Sequence, residues 1–340
     1  MAMGSLVWSL LIACSREDGG GEPTDPDASP NPTFGEDPTS CSASGYVEPP
    51  GWYEVLPIEE ITNTEDSETG ERYMYWIPEN PVAALWVFHG NGGDIGNLQQ
   101  LEYHRVYNPL IADGYAILAK ESLVRGNDAH WDYEKGSANA NPDMIAIQAL
   151  RAKLIDETGL EESTPMFGMG FSGGAAFVGT WAELGIRDFG WDIRGIDCHN
   201  GSPALEPHLD SMHNHAANDD GNSAISGFES MEENYPDKYH ELMIHEEVPL
   251  DPLRMMSLGY DEATSIAVFD ELVEMELIDE AGVRLFDIVD VEGVLNDYEN
   301  RSTGPSPAKV NGVLRVVWAT HRVNGDNNKA IRDTFTCLNL

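Results

Sequence analysis

Residues 83 to 89 read AALWVFH, an apolar run with no polar alternation, and other short runs along the chain share its β-rich character. They are YEVLPIEEI (53–61), RYMYWIP (72–78), YAILAK (115–120), PMFGMGF (165–171), IRGIDC (193–198) and GVLRVVWAT (312–320), each predicted as a strand. Between several of them the apolar positions recur at helical spacing. NLQQLEYHRVYNPLIADG ends on Gly114, MIAIQALRAKLIDETG follows Asn141, Pro142 and Asp143 and ends on Gly159, and GGAAFVGTWAELG ends on Gly185. Apolar strands alternating with helices predict an α/β fold with a central, mostly parallel sheet covered on both faces. No internal repeat interrupts this order.

From about residue 222 to 300 the rhythm changes. No strand stands out there, and ATSIAVFDELVEMELID (263–279) places Ile266, Phe269, Val273 and Leu277 on one stripe against an acidic face. The segment is expected to be a helical insertion before the last strand, either a lid over a substrate pocket or a plain structural cap.

The first 50 residues have no such pattern. MAMGSLVWSLLIAC carries an apolar run from Leu6 to Ala13, too short to span a bilayer and placed like the core of a signal peptide. Leu11, Ile12, Ala13 and Cys14 resemble the lipobox of bacterial lipoproteins, which implies lipidation at Cys14 and a membrane partner through that anchor. No Lys or Arg precedes the run, so either the start lies upstream or the export signal is weak; an ordinary signal peptide with an incidental Cys14 is the alternative. Residues 15 to 50 begin SREDGGGEPTDPDASPNPTFGEDPTS, rich in Gly, Pro and acid, and are expected to form a disordered tether before a domain over 51–340. The expected location is the bacterial cell envelope, at the outer membrane, or the secreted fraction. In such a compartment Cys41, Cys198 and Cys337 can form one disulfide, with Cys41 and Cys337 as the expected pair and the connectivity open.

Composition narrows the partners. The 340 residues hold 59 Asp and Glu against 19 Lys and Arg, a formal charge of -40. A surface of that sign repels nucleic acid, which is excluded as a partner, and suits salty surroundings.

Chemistry concentrates at two junctions. GFSGG (170–174) falls where a predicted strand meets a predicted helix, the setting in which a GxSxG pattern presents a serine hydroxyl on a tight turn. VFHGNGGD (87–94) ends another strand in a glycine-rich loop that lets backbone N–H groups approach an oxyanion. Together the two motifs resemble the α/β-hydrolase superfamily, nearest to its secreted esterases and polyester depolymerases. Over roughly residues 53 to 340 the resemblance implies an eight-stranded sheet and a triad in the order Ser, acid, His.

On that resemblance Ser172 is the nucleophile, and Asn91, Gly92 and Gly173 supply the oxyanion donors. His321 is the general base, placed after the predicted strand 312–320. The acid is Asp219 or Asp220, with Asp251, Asp287 and Asp290 as alternatives. His89 and Trp131 are expected to contact substrate. The implied reaction is hydrolysis of a small or polymeric carboxylic ester through an acyl-enzyme, with no cofactor. A peptidase or amidase with the same triad, and a surface lipoprotein that binds without catalysis, remain alternatives. A metal site at His208, His213 and His215 with Asp219 and Asp220 competes for the same region, but lacks a recognised ligand spacing. DDGN and NGDNN offer oxygen ligands for Ca²⁺ without matching an EF-hand loop.

Overall fold

The computed structural model describes residues 61–320 and Phe335, apart from 67–69, 100, 135, 220 and 222. Contacts divide the chain into residues 1–37 and 38–340, and every described residue belongs to the second unit. Cys14, Cys41, Asp220, His321 and Cys337, residues 53–60 of the predicted strand 53–61 and the NGDNN segment lie outside the described residues.

The sheet has eight strands: β1 (Thr62–Glu65), β2 (Arg72–Trp76), β3 (Ala83–Phe88), β4 (Tyr115–Lys120), β5 (Met166–Phe171), β6 (Ile193–His199), β7 (Asp210–Ala216) and β8 (His240–His245). Their spatial order is β1-β2-β4-β3-β5-β6-β7-β8. β2 runs antiparallel to β1 and β4. The remaining pairs are parallel. This is the architecture of the α/β-hydrolase fold: a mostly parallel sheet flanked by helices, with an added helical region.

The unbroken apolar strands are explained by the two cores they join. Alternate residues of β3 point to opposite faces. Ala84, Trp86 and Phe88 pack with Ile147, Leu150 and Leu154 of α2 (Pro142–Glu157) and with Phe177, Val178 and Trp181 of α3 (Gly173–Phe189). Ala83, Leu85 and Val87 pack instead with Val106, Tyr107 and Leu110 of α1 (Leu101–Ala112) and with Phe335. Helix α2 starts where Asn141-Pro142-Asp143 predicted: the Asn141 side chain accepts the N–H of Met144 at 3.0 Å and Pro142 takes the first turn. Helix α4 (Ser223–Asn234) covers β7 and β8.

The carboxyl-terminal third differs from expectation. Residues 307–317, predicted as a strand over 312–320, form α7 (Pro307–Val317), and the eighth strand is His240–His245 instead. Val310, Val313, Leu314 and Val317 recur at i, i+3, i+4 and i+7 and bury against α5 (Glu262–Glu274) and α6 (Val291–Arg301) in a third core with Phe269, Leu272 and Tyr298. Strand β8 escaped notice because HELMIH is polar and lies at the sheet edge, where Met243 and His245 turn inward while Ile244 stays exposed. The helical region therefore follows the last strand for most of its length. On α5 the buried stripe is Ser265, Val268, Phe269 and Leu272, one step round from the expected one, which leaves Ile266 exposed.

Candidate active site

Ser172 joins β5 to α3 with φ 53° and ψ -116°, a backbone conformation that a residue with a Cβ rarely adopts. Neighbouring chain holds it there. The Ser172 N–H donates to the carbonyl of His199, the last residue of β6, at 2.8 Å, and its own carbonyl accepts the N–H of Ala175 at 2.9 Å. The flanking glycines are required by close approach. A Cβ on Gly170 would lie 2.1 Å from the Gly174 carbonyl oxygen, and one on Gly174 would lie 2.3 Å from that of Phe88. Because the obstacles are backbone atoms, Gly170→Ala is expected to destabilise the fold by ~1–3 kcal/mol and to reduce activity through a displaced Ser172. Urea unfolding checks the first effect, and unchanged stability would show that the turn relaxes freely.

The HGNGG loop packs onto this turn. Asn91 Oδ1 sits so near Gly173 that a Cβ there would be 2.1 Å away. Gly173 opens α3, so its N–H is among those with no intrahelical acceptor and points out of the positive end of the helix. Among the described residues, the Asn91 N–H also has no acceptor. Gly92 is a correction: its N–H donates to the Ala129 carbonyl at 2.7 Å and is not available to an oxyanion.

His89 is fixed at both ring nitrogens. Its Nε2 accepts the N–H of Ser122 at 3.0 Å, so Nδ1 carries the proton and donates to the Gly90 carbonyl at 2.8 Å. Burial holds its pKa below the ordinary value, which keeps the ring neutral. The ring lines a cavity of about 180 Å³ together with Asn91, Gly92, Tyr103 and Phe171. Trp131 is a second correction. It is 1% exposed, stacks on Phe177 at 4.5 Å and donates its indole N–H to the His89 carbonyl at 2.8 Å. It buttresses the loop from inside the core and does not line the crevice.

Asp219 lies just past the carboxyl end of β7, in a turn closed by its N–H bond to Ala216 O at 2.9 Å. Its Oδ1 accepts the N–H of Gly221 at 3.2 Å. The chain leading to residue 321 comes to the same edge: Asn218 donates its N–H to Ala319 O at 2.9 Å and its side-chain amide to Trp318 O at 2.8 Å. Two of the alternative carboxylates have local partners elsewhere. Asp251 accepts the N–H of Leu253 and Asp287 that of Val289, each closing a turn, while Asp290 precedes α6.

Two of the histidines considered as metal ligands are separately engaged. Exposed His208 pairs with Asp237 at 2.8 Å, whereas buried His213 is 3.0 Å from Ser211 Oγ. Among the described residues no group of three His, Cys, Asp or Glu side chains is arranged to hold a metal ion. Burial lowers the His213 pKa to about 3. The unfolded chain therefore binds the extra proton between pH 6.5 and 3, and stability present above pH 6.5 is lost as pH falls through that window. At pH 5 the loss from this residue is about 2 kcal/mol, to be read as the difference in pH dependence of urea unfolding between wild type and His213→Asn.

Sequence reasoning passed over a buried polar chain beneath the turn. Asp197, fully buried on β6, accepts from His199 Nε2 at 2.7 Å and from Asn214 Nδ2 at 2.6 Å, and Asn214 Oδ1 accepts from His245 Nε2 at 2.6 Å. The signal was IRGIDCH, where an acid and a histidine two apart interrupt an apolar strand. Cys198 between them is buried and free, and burial raises its pKa well above the ordinary value. No described helix is long and apolar enough to cross a membrane.

No family model matches the chain, and no curated protein matches it. Among solved structures, a hyperthermophilic esterase from the archaeon Pyrobaculum calidifontis overlaps 66% of this chain and 89% of its own at 10% identity, with a TM-score of 0.43. A carboxylesterase from Mesorhizobium loti overlaps 58% and 99% at 15% identity and a TM-score of 0.40. A thermostable esterase overlaps 63% and 61% at 16% identity, again with a TM-score of 0.40, so this chain spans about three fifths of that protein's length. The chain's own strand order carries its placement in the α/β-hydrolase fold.

Proposed function

We propose that this chain is a serine hydrolase that cleaves a carboxylic ester. The supporting observation is the strained Ser172, held at φ 53° between a buried parallel strand and the amino end of a helix. A position that costs on the order of 1–3 kcal/mol persists where surrounding structure over-determines it, and such positions cluster at reacting groups.

In the proposed reaction Ser172 Oγ attacks the ester carbonyl while His321 accepts its proton. The N–H groups of Asn91 and Gly173 receive the developing oxyanion, and Asp219 or Asp220 orients the imidazole. Collapse of the tetrahedral intermediate breaks the C–O bond to the alcohol, which leaves with the proton from His321. Water, deprotonated by the same imidazole, then releases the acid and restores Ser172. The carboxyl edge of β7, with Asp219 and the chain at 318–319, supports this choice of acid and base. His321→Ala is expected to lower kcat for a p-nitrophenyl ester by at least about a thousandfold with KM little changed. Full activity in that variant would remove His321 from the reaction.

A further inference from the structure

A second cavity, of about 300 Å³, borders the HGNGG loop on the side of β2 and β4 and shares Gly92 and Gly93 with the first. Two arginines line it, Arg72 and Arg125, in a chain with 19 Lys and Arg among 340 residues. Both are held by one carboxylate. Glu121, 3% exposed, lies 2.8 Å from Arg72 Nη1 and 3.5 Å from Arg125 Nε, and it also accepts the N–H of Ile95 at 3.2 Å. The arginine side chains themselves remain 46% and 38% exposed.

The formal charges of the lining cancel, Arg72 and Arg125 against Glu121 and Asp94. Donors and acceptors do not. Each guanidinium has five N–H donors, most of them left over after its contact with Glu121. The acceptors are partly engaged: Glu121 as described, and Asp94 Oδ1 by the N–H of Asn97 at 3.1 Å. Against the -40 charge of the whole chain, this cavity wall is formally neutral and presents two guanidiniums with donors in excess. A planar anion is the group that such a pair of forks accepts best.

Resting on the ester-hydrolase reading, we infer that this cavity, which borders the HGNGG loop, binds a carboxylate carried by the substrate. The favoured esters are then half-esters of dicarboxylic acids or esters with a free terminal acid. A buried acid that contacts both arginines restrains them before substrate arrives, which lowers the cost of ordering them on binding.

The test compares two p-nitrophenyl esters of equal acyl length on the full chain, one ending in a carboxylate and one in a methyl group. Wild type should favour the carboxylate ester by about tenfold in kcat/KM, mainly through KM, and R125Q or R72Q should bring the ratio close to one, with R125K retaining part of it. Higher salt should shrink the wild-type ratio as well. A wild-type preference for the neutral ester, or an identical ratio in R125Q, overturns the inference. Glutarate titrated calorimetrically into wild type and R125Q reads the subsite without turnover. Binding lost in R125Q upholds it even where neither ester is cleaved, a result that would sink the hydrolase reading alone, and no glutarate binding to wild type overturns it.

Discussion

Ser172→Ala is expected to reduce kcat for a p-nitrophenyl ester by about 10⁴- to 10⁶-fold while the circular dichroism spectrum stays that of the wild type. Alanine removes the hydroxyl but keeps the Cβ, so the strain at φ 53° persists and stability should hardly move. Ser172→Gly separates the two properties. It removes nucleophile and strain together, and the variant should be as inactive as Ser172→Ala yet more stable, by ~1 kcal/mol after the entropy of glycine in the unfolded chain is deducted. Paired activity and urea-unfolding curves read both quantities. Residual activity near wild type in either variant would remove Ser172 from the reaction, and a glycine variant no more stable than wild type would mean that the turn stores no strain.

The second large effect is on folding. Asp197 is fully buried and is the shared acceptor of His199 and Asn214. Asp197→Ala leaves an imidazole and an amide without their acceptor in a site closed to water, and is expected to destabilise the chain by about 3–5 kcal/mol. Asp197→Asn keeps one carbonyl oxygen and should cost less. The loss also reaches the turn, because the His199 carbonyl holds the Ser172 N–H at 2.8 Å. Chemical denaturation of both variants, with kcat measured under folding conditions, gives the comparison. A loss below about 1 kcal/mol in Asp197→Ala would show that the polar chain is replaceable by simple packing.

The corrections at the candidate site share one physical origin. The Gly92 N–H, expected as an oxyanion donor, and the Trp131 ring, expected against substrate, are both engaged inside the protein, one by a carbonyl 37 residues ahead and one by an aromatic stack. Loop sequence tells which groups are near a sheet edge. It does not tell which of them the far side of the loop has already taken.

Much of the central sheet was determined by sequence alone. AALWVF and YAILAK admit one reading, since a strand with both pleat faces apolar must be covered on both sides, and YAILAK matches β4 residue for residue. Asn141-Pro142 fixed the start of α2 through a local cap, and GFSGG placed Ser172 at the junction where it stands. Tertiary structure alone decided three other matters. A run rich in valine at 312–317 became helix because its i, i+3, i+4, i+7 face met α5 and α6, and no strand lay beside it. HELMIH became the eighth strand because β7 offered its free edge. DSMHNHA could be buried throughout because Asp210, Ser211, His213 and Asn214 find partners, the farthest of them 31 residues away. Local pattern governs where apolar surface must be hidden; which neighbour hides it, and which polar group satisfies another, depends on distant residues that only the folded chain brings together.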